Sequence, residues 1–189
     1  MEKERKLTQA EARRKERFEK ISDDLIGEGF IRRDLIIDIV KANIGALVVM
    51  MPFIIVMGVL YYTANMHKSI GSFSLSSYMM FLGLFLFLII AHELIHGITW
   101  SIFTPNHMKD IEFGVIWSAV TPYCTCGQPL SKKQFIIGAA MPTLILGFGL
   151  GIVSIMTGQL MMFLLAEALI LGGGGDFLII IKLLRFNSD

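Results

Sequence analysis

The chain divides into a charged stretch and long apolar runs. Charged residues of both signs are interleaved up to Lys41, and beyond that point four apolar runs follow. A helix needs roughly twenty apolar residues to cross a bilayer, and each run provides about that many. The runs cover residues 42–62, 78–103, 135–156 and 160–184. The pattern therefore predicts an all-α membrane protein with four transmembrane helices in contact with membrane lipids.

Composition and charge divide the chain into two parts. We expect a charged, helical N-terminal tail over residues 1–41 and a four-span membrane domain over residues 42–186. The chain is 54% hydrophobic and 17% charged, which is unusual for a soluble domain. Its formal net charge is +1, and acidic residues alternate with the basic ones of the tail, which argues against nucleic acid as a partner. The charged beginning also predicts that there is no cleavable signal peptide.

The positions of lysine and arginine predict the orientation in the membrane. They are frequent in the tail, and the connection 104–134 holds Lys109, Lys132 and Lys133. The other two connections hold almost none beyond Lys68. By the positive-inside rule, both termini and the middle connection lie in the cytoplasm. The compact chain lacks eukaryotic targeting features, so we expect a multi-pass protein of a bacterial cell membrane.

The middle connection predicts a small element of β-structure. From residue 110 to 120, Ile111, Phe113, Val115 and Trp117 alternate with other residues, as they would on a strand. A short β-hairpin on the cytoplasmic side is therefore expected. Cys124 and Cys126, the only cysteines, are too close in sequence to suggest a disulfide framework. We interpret them as reduced thiols with a structural role.

The second apolar run contains His92-Glu93-Leu94-Ile95-His96. Residues four apart lie on the same face of a helix, so His92 and His96 can offer two imidazoles to one zinc ion. Glu93 lies next to that face and can act as a general base toward a water molecule. Polar residues in an apolar helix are unfavourable without a cavity, a metal or partners, so an intramembrane cluster indicates a functional site. The alternative is a set of polar residues that bond only within the bundle.

A catalytic zinc site usually has three protein ligands, so a third donor is needed from elsewhere. Asp176 is our choice, because it lies in the last apolar run. From the outer helix ends the rise is about 21 Å to His92 and about 24 Å to Asp176, which gives them similar depths. Asp176 follows four consecutive glycines, residues 172–175. Their permissive backbone predicts either a kink that lets Asp176 reach the metal or tight helix packing.

Other acidic and imidazole groups are rivals for the third position. Glu167 lies in the same run, but it is nearer the outer half and nine residues from Asp176, on the opposite helical face. His107, Asp110 and Glu112 follow the motif in the middle connection, which could fold back toward the metal.

These residues resemble the membrane-embedded putative zincin peptidases, a family similar to the site-2 proteases. The likeness covers roughly residues 73–184. It is carried by the motif with Gly97, by the segments 122–131 and 140–142, and by Gly174-Gly175-Asp176. The resemblance implies a zinc site of His92, His96 and Asp176, with Glu93 as the base, that faces the cytoplasmic side. The chain departs from the site-2 pattern, since Thr143 rather than Asn follows Pro142 and Phe177 rather than Gly follows Asp176.

The resemblance also implies that the substrate is bound as an added strand. Phe113, Val115 and Trp117 are then candidate substrate-binding residues, because edge-strand addition holds a peptide extended. The equal alternative is a strand that only covers the site.

The resulting hypothesis is a zinc-dependent peptidase that acts on transmembrane segments or on short membrane-associated peptides. Two alternatives use the same residues without proteolysis: a metal transporter and a scaffold. Transport would need a polar path through both leaflets, and the outer halves of the runs are apolar except for Glu167.

Overall fold

The computed structural model describes residues 9–35, 38–68, 74–116 and 121–186. Within these ranges four helical stretches are long and apolar enough to cross a membrane, which confirms the predicted fold class. They span Val40–Asn65, Leu75–Ser101, Lys132–Thr157 and Leu160–Leu184. Many of their large apolar side chains are exposed, as expected for helices that face lipid rather than water.

The described elements follow one another in a simple order. They are α1 (Gln9–Gly27), α2 (Ile39–Asn65), α3 (Leu75–Ser101), a short 3₁₀ turn (His107–Asp110), β1 (Ile111–Ile116), β2 (Thr121–Cys126), α4 (Lys132–Pro142), a π-helical segment (Thr143–Gly149), α5 (Leu150–Thr157), α6 (Leu160–Gly172) and α7 (Gly174–Leu184). The third span thus consists of α4, the π-helical segment and α5. The fourth consists of α6 and α7.

Capping residues explain why several helices begin earlier than hydropathy predicts. The Asp38 carboxylate accepts hydrogen bonds from the Val40 and Lys41 amides at 3.1 and 3.2 Å. Ser74 caps α3, and Ser131 forms a capping box with Gln134 at the start of α4. A side-chain oxygen at the N-cap satisfies amides that have no partner in the first turn. The polar residues next to each cap are therefore helical, although they lie outside the apolar runs.

β1 and β2 pair antiparallel, from Ile111 opposite Cys126 to Ile116 opposite Thr121, which confirms the predicted hairpin. The hairpin packs against α3. A Cβ at Gly97 would overlap the Phe113 ring, so the absence of a side chain there allows β1 to approach. We refer to this end of the helix bundle, where the hairpin lies, as the hairpin end.

Two buried apolar clusters hold the helices together. At the hairpin end, Trp100, Ile111, Ala139 and Ile180 join α3, β1, α4 and α7. The second cluster contains Met50, Met57 and Ile170 and joins α2 to α6. A Cβ at Gly151 would overlap the end of the Met57 side chain, so α5 lies close to α2. Trp100 of the hairpin-end cluster lies one helical turn after His96, so this cluster is beside the candidate site.

Candidate metal centre

The two motif histidines are buried although they lie in an apolar helix. His92 and His96 are 9% and 4% exposed, whereas most of the preceding part of α3 is open to the surroundings. Their rings lie 4.9 Å apart, edge to face, because residues four apart stack along one side of the helix. Both imidazoles therefore face the interior of the bundle.

A break in the fourth span brings Asp176 to these histidines. α6 ends at Gly172 and α7 begins at Gly174, so Asp176 lies in the first turn of α7. A Cβ at Gly173 would overlap the Thr143 hydroxyl, and one at Gly174 would lie 2.7 Å from the Ala46 Cβ. The glycines thus provide both the interruption of the helix and its close packing against the third and first spans.

The three side chains form a compact donor set. Asp176 Oδ2 lies 3.3 Å from His92 Nε2 and 3.4 Å from His96 Nε2. One potential ligand atom from each of the three residues lies within 4.8 Å of the others. In a tetrahedral zinc site with bonds of about 2.0–2.1 Å, two ligand atoms are about 3.3–3.4 Å apart. The two measured separations match that spacing, so this donor set fits zinc.

The second nitrogen of His96 has its own partner. His96 Nδ1 lies 2.9 Å from the Gly138 carbonyl oxygen in α4, to which it can donate. Such a bond leaves a lone pair on Nε2, the nitrogen that faces Asp176. The His96 ring also stacks on Trp100 at 5.1 Å, and the Trp100 indole donates to the Phe135 carbonyl at 3.3 Å. No pattern in the sequence predicts this support from α4.

Glu93 lies at the edge of β2. The backbone amide of Cys124 donates to its carboxylate. Successive amides alternate direction along an antiparallel pair, and the Gly127 amide donates to the Asp110 carbonyl at 2.7 Å, toward β1. By the same alternation, the amides of Tyr123 and Thr121 also point toward β1. The amide of Cys124, which lies between Tyr123 and Thr125, therefore points away from β1. The edge of β2 that points away from β1 therefore faces the motif.

Two cavities meet at the site. The larger, about 700 Å³, is bounded by β2 and by the start of α4, and the other, about 570 Å³, extends among α2, α3 and α6. Five residues line both of them: Leu35, Glu93, Pro122, Asp176 and Ile179. A ligand could thus approach Glu93 and Asp176 from either side.

The rival ligands do not join this donor set. Both carboxylate oxygens of Glu167 are buried and have no hydrogen-bond partner among the described residues. His107 Nδ1 bonds to the Ser101 carbonyl at 3.0 Å, and Glu112 pairs with Arg17 at 2.6 Å. Asp110 accepts hydrogen bonds from Asn106 and Gln128. Burial acts to raise the pKa of Asp110, but these hydrogen bonds outweigh it and hold the pKa below its ordinary value.

The predicted substrate-binding residues of β1 do not line either cavity. Phe113 packs against Gly97, and Val115 is partly exposed on the same strand. Trp117 lies outside the described residues. The strand that lines both cavities is β2, which the alternation pattern did not single out because Thr121, Pro122 and Thr125 interrupt its apolar character.

Cys124 and Cys126 are free thiols that line the larger cavity. Burial raises the pKa of the Cys124 thiol to about 12, and the nearby Glu93 carboxylate and Cys126 act in the same direction. Because the thiolate is the reactive form, this shift makes Cys124 a poor nucleophile near neutral pH. Their packing against the hairpin-end cluster is consistent with a structural role.

The N-terminal helix contacts the hairpin from outside the bundle. Beside the Arg17–Glu112 ion pair, the Arg14 guanidinium lies 4.5 Å from the centre of the Tyr123 ring. The connection to α2 brings Leu35 to the wall of both cavities. The tail therefore contributes to the surroundings of the site.

The fold and the donor set define a class: a helical membrane protein with two histidines and an aspartate gathered between its spans. Residues 85–189, more than half of the chain, match the family model described as putative zincin peptidase. The chain belongs to that family. The matched part contains the motif, the hairpin and Asp176 but neither α1 nor α2. No curated protein and no solved structure matches the chain.

Proposed function

We propose that this chain is a zinc-dependent peptidase that hydrolyses peptide bonds of membrane-embedded or membrane-associated substrates. The observation that carries the proposal is the spacing of His92, His96 and Asp176, with Asp176 Oδ2 3.3 and 3.4 Å from the two Nε2 atoms. Glu93 lines the same two cavities as members of this donor set. Membership of the family supports metallopeptidase activity.

His92, His96 and Asp176 would hold the zinc ion. When bound, zinc supplies Lewis-acid activation of a water molecule and of the scissile carbonyl. The Gly138 carbonyl keeps the His96 ring oriented, and the surrounding helices bury both imidazoles.

Glu93 is the proposed general base. Its carboxylate removes a proton from the attacking water while the water oxygen forms a bond to the carbonyl carbon. When the C–N bond breaks, the same carboxyl group delivers that proton to the leaving amine. The hydrogen bond from the Cys124 amide orients the Glu93 carboxylate. Because Glu93 lines both cavities, a substrate can reach it from either side.

The edge of β2 that points away from β1 is the proposed binding surface for the peptide. An extended chain can add to a strand edge through backbone hydrogen bonds without a particular side-chain sequence. Because Glu93 contacts the same edge at Cys124, a peptide bound there passes the base. A transmembrane helix would have to unwind locally to bind in this way.

We also propose that the hairpin end is cytoplasmic. α1 carries several arginines and lysines, Lys132 and Lys133 begin α4, and Lys182 lies in the last turn of α7. An excess of such residues is typical of the cytoplasmic side. Substrates would then be cut close to the cytoplasmic surface of the membrane.

The test combines zinc analysis with a cleavage assay. Wild-type protein in proteoliposomes is incubated with a library of single-span peptides, and products are identified by mass spectrometry. We expect about one zinc per chain and cleavage that falls about 10²–10⁴-fold in Glu93→Gln, with zinc retained. Glu112→Gln is the matched control, since it makes the same change in a carboxylate that pairs with Arg17.

The outcomes separate the alternatives. Zinc binding without cleavage of any library member, in wild type as in Glu93→Gln, would favour a metal-binding protein that is not a peptidase. Failure to bind zinc even after reconstitution with the metal would overturn the proposal as a whole.

A further inference from the structure

The proline at the end of α4 changes the hydrogen bonding of the helix it completes. In an α-helix the carbonyl of residue i accepts from the amide of residue i+4, and proline has no amide hydrogen. Pro142 therefore leaves the Gly138 carbonyl without its usual donor. The next amide along the chain, that of Thr143, does not replace this donor, because it donates to the Ala140 carbonyl. A buried carbonyl without a donor is unfavourable, and more so within a membrane.

His96 provides the missing donor. Its Nδ1 lies 2.9 Å from the Gly138 oxygen, and both residues are buried. The approach is possible because residue 138 is glycine, since a Cβ at this position would overlap the Trp100 indole. Gly138 thus allows α3 to come close, and Pro142 leaves the carbonyl free to accept the imidazole hydrogen.

We propose that Pro142 is a positioning residue for the metal centre. By freeing the Gly138 carbonyl, it fixes the proton of His96 on Nδ1 and aims the Nε2 lone pair at the site shared with Asp176. The effect of Pro142 on zinc binding rests on the proposed function as a zinc-dependent peptidase. The hydrogen bond itself does not, because it exists between protein groups alone.

An alanine at position 142 would restore the missing amide. That amide would donate to the Gly138 carbonyl, and the loss of the proline ring would let the carbonyl return toward the helix axis. His96 would then share its acceptor or lose it. Loss of an outer partner of a metal-bound histidine typically weakens metal binding about 10–100-fold, which is the increase in zinc dissociation constant expected for Pro142→Ala.

The chain offers a matched control in α2. Pro52 is the other proline inside an apolar helix, and it frees the carbonyl of Val48, an exposed residue that is not part of the donor set. Pro52→Ala makes the same chemical change and should leave zinc affinity unchanged. A comparison of the two variants separates the effect on His96 from a general change in helix bending.

The experiment has two arms on the full-length protein in detergent. Zinc titration compares the zinc affinity of wild type, Pro142→Ala and Pro52→Ala. The visible absorption of cobalt-substituted samples compares the coordination geometry of the same three proteins. Nitrogen-15 NMR of histidine-labelled, metal-free protein follows the His96 Nδ1–H. We expect Pro142→Ala alone to weaken zinc binding, alter the cobalt spectrum and shift the Nδ1–H signal. Thermal unfolding of the metal-free variants checks that both are folded, because the Pro142 ring is fully buried and its loss leaves a cavity.

Three results would overturn the proposal: an unchanged Nδ1–H signal in Pro142→Ala, an equal loss of zinc affinity in both variants, or unchanged affinity in Pro142→Ala. A wild-type protein that takes up no zinc would instead contradict the proposed function. The NMR arm would still decide whether Pro142 directs the His96 hydrogen bond.

Discussion

Asp176 and Glu167 lie nine residues apart in the fourth span, one on each side of the glycine break, and their surroundings differ. Asp176 Oδ2 is within 3.4 Å of both motif histidines. Both oxygens of Glu167 are buried without a hydrogen-bond partner among the described residues. The region around Asp176 is thus organised by polar groups from two spans, whereas none of the described residues donates to the Glu167 carboxylate.

This difference distinguishes two kinds of acidic residue in an apolar helix, one with polar partners and one without. Burial disfavours a carboxylate in either case, but only convergent donors can compensate its charge or hold a metal. Glycines 173 and 174 allow that convergence, because they bring α7 against Thr143 and Ala46.

The largest effect is expected from removal of the donors. His92→Ala and Asp176→Ala should each lower zinc affinity by more than about 100-fold, the upper range for loss of an outer partner. Glu167→Ala, the matched change on the other side of the break, should leave zinc content at the wild-type level. Metal analysis of the three purified variants tests this contrast. Loss of zinc in Glu167→Ala would show that the two regions are not separate.

Removal of zinc should destabilise the Asp176 region. A ligand that binds only the folded state stabilises it by about 2.7 kcal/mol at a free concentration one hundred times its dissociation constant. We therefore expect a chelator to lower the unfolding temperature of the wild type but not that of Asp176→Ala. Thermal unfolding in detergent with and without zinc measures the difference. An equal decrease in both proteins would contradict a stabilising role for the bound metal.

Replacement of Glu167 by leucine should increase the stability of the protein. A buried polar group without a partner costs about 1–3 kcal/mol, so Glu167→Leu is expected to stabilise the protein by about this amount. The free energy of unfolding in a mild detergent–denaturant series provides the measurement. A loss of stability would mean that Glu167 has a partner in the membrane, such as a lipid or a second chain.

The smallest effect concerns Asp110, a carboxylate of the 3₁₀ turn outside the spans. Its pKa is lowered in the folded protein, so its hydrogen bonds to Asn106 and Gln128 stabilise the fold fully above the ordinary aspartate pKa. That stability is lost as the pH falls through the lowered pKa. Asp110→Asn should therefore have a lower unfolding temperature than the wild type at neutral pH, and the gap should narrow in acid. A gap that is independent of pH would contradict this assignment.

Local sequence determined the spans, the hairpin and the motif. The apolar runs required bilayer-length helices, alternation from Ile111 predicted a strand, and four-residue spacing put His92 and His96 on one face. The position of Asp176 in an apolar run, at a depth similar to that of His92, predicts it as the third ligand, and the structure brings it to the histidines. Residues close in sequence are related by the helical or strand repeat alone, so such features can be derived without knowledge of the fold.

Only the tertiary structure decided which groups surround the motif. The choice of β2 rather than β1 as the strand beside Glu93 depends on how the hairpin packs on α3 at Gly97. The bond from His96 to the Gly138 carbonyl joins residues 42 positions apart, and that from His92 to Asp176 joins residues 84 apart. Such contacts depend on the relative depth and rotation of packed helices. Hydropathy gives an approximate depth but not the rotation, because a membrane fixes the length of a span but not the face it turns to its neighbours.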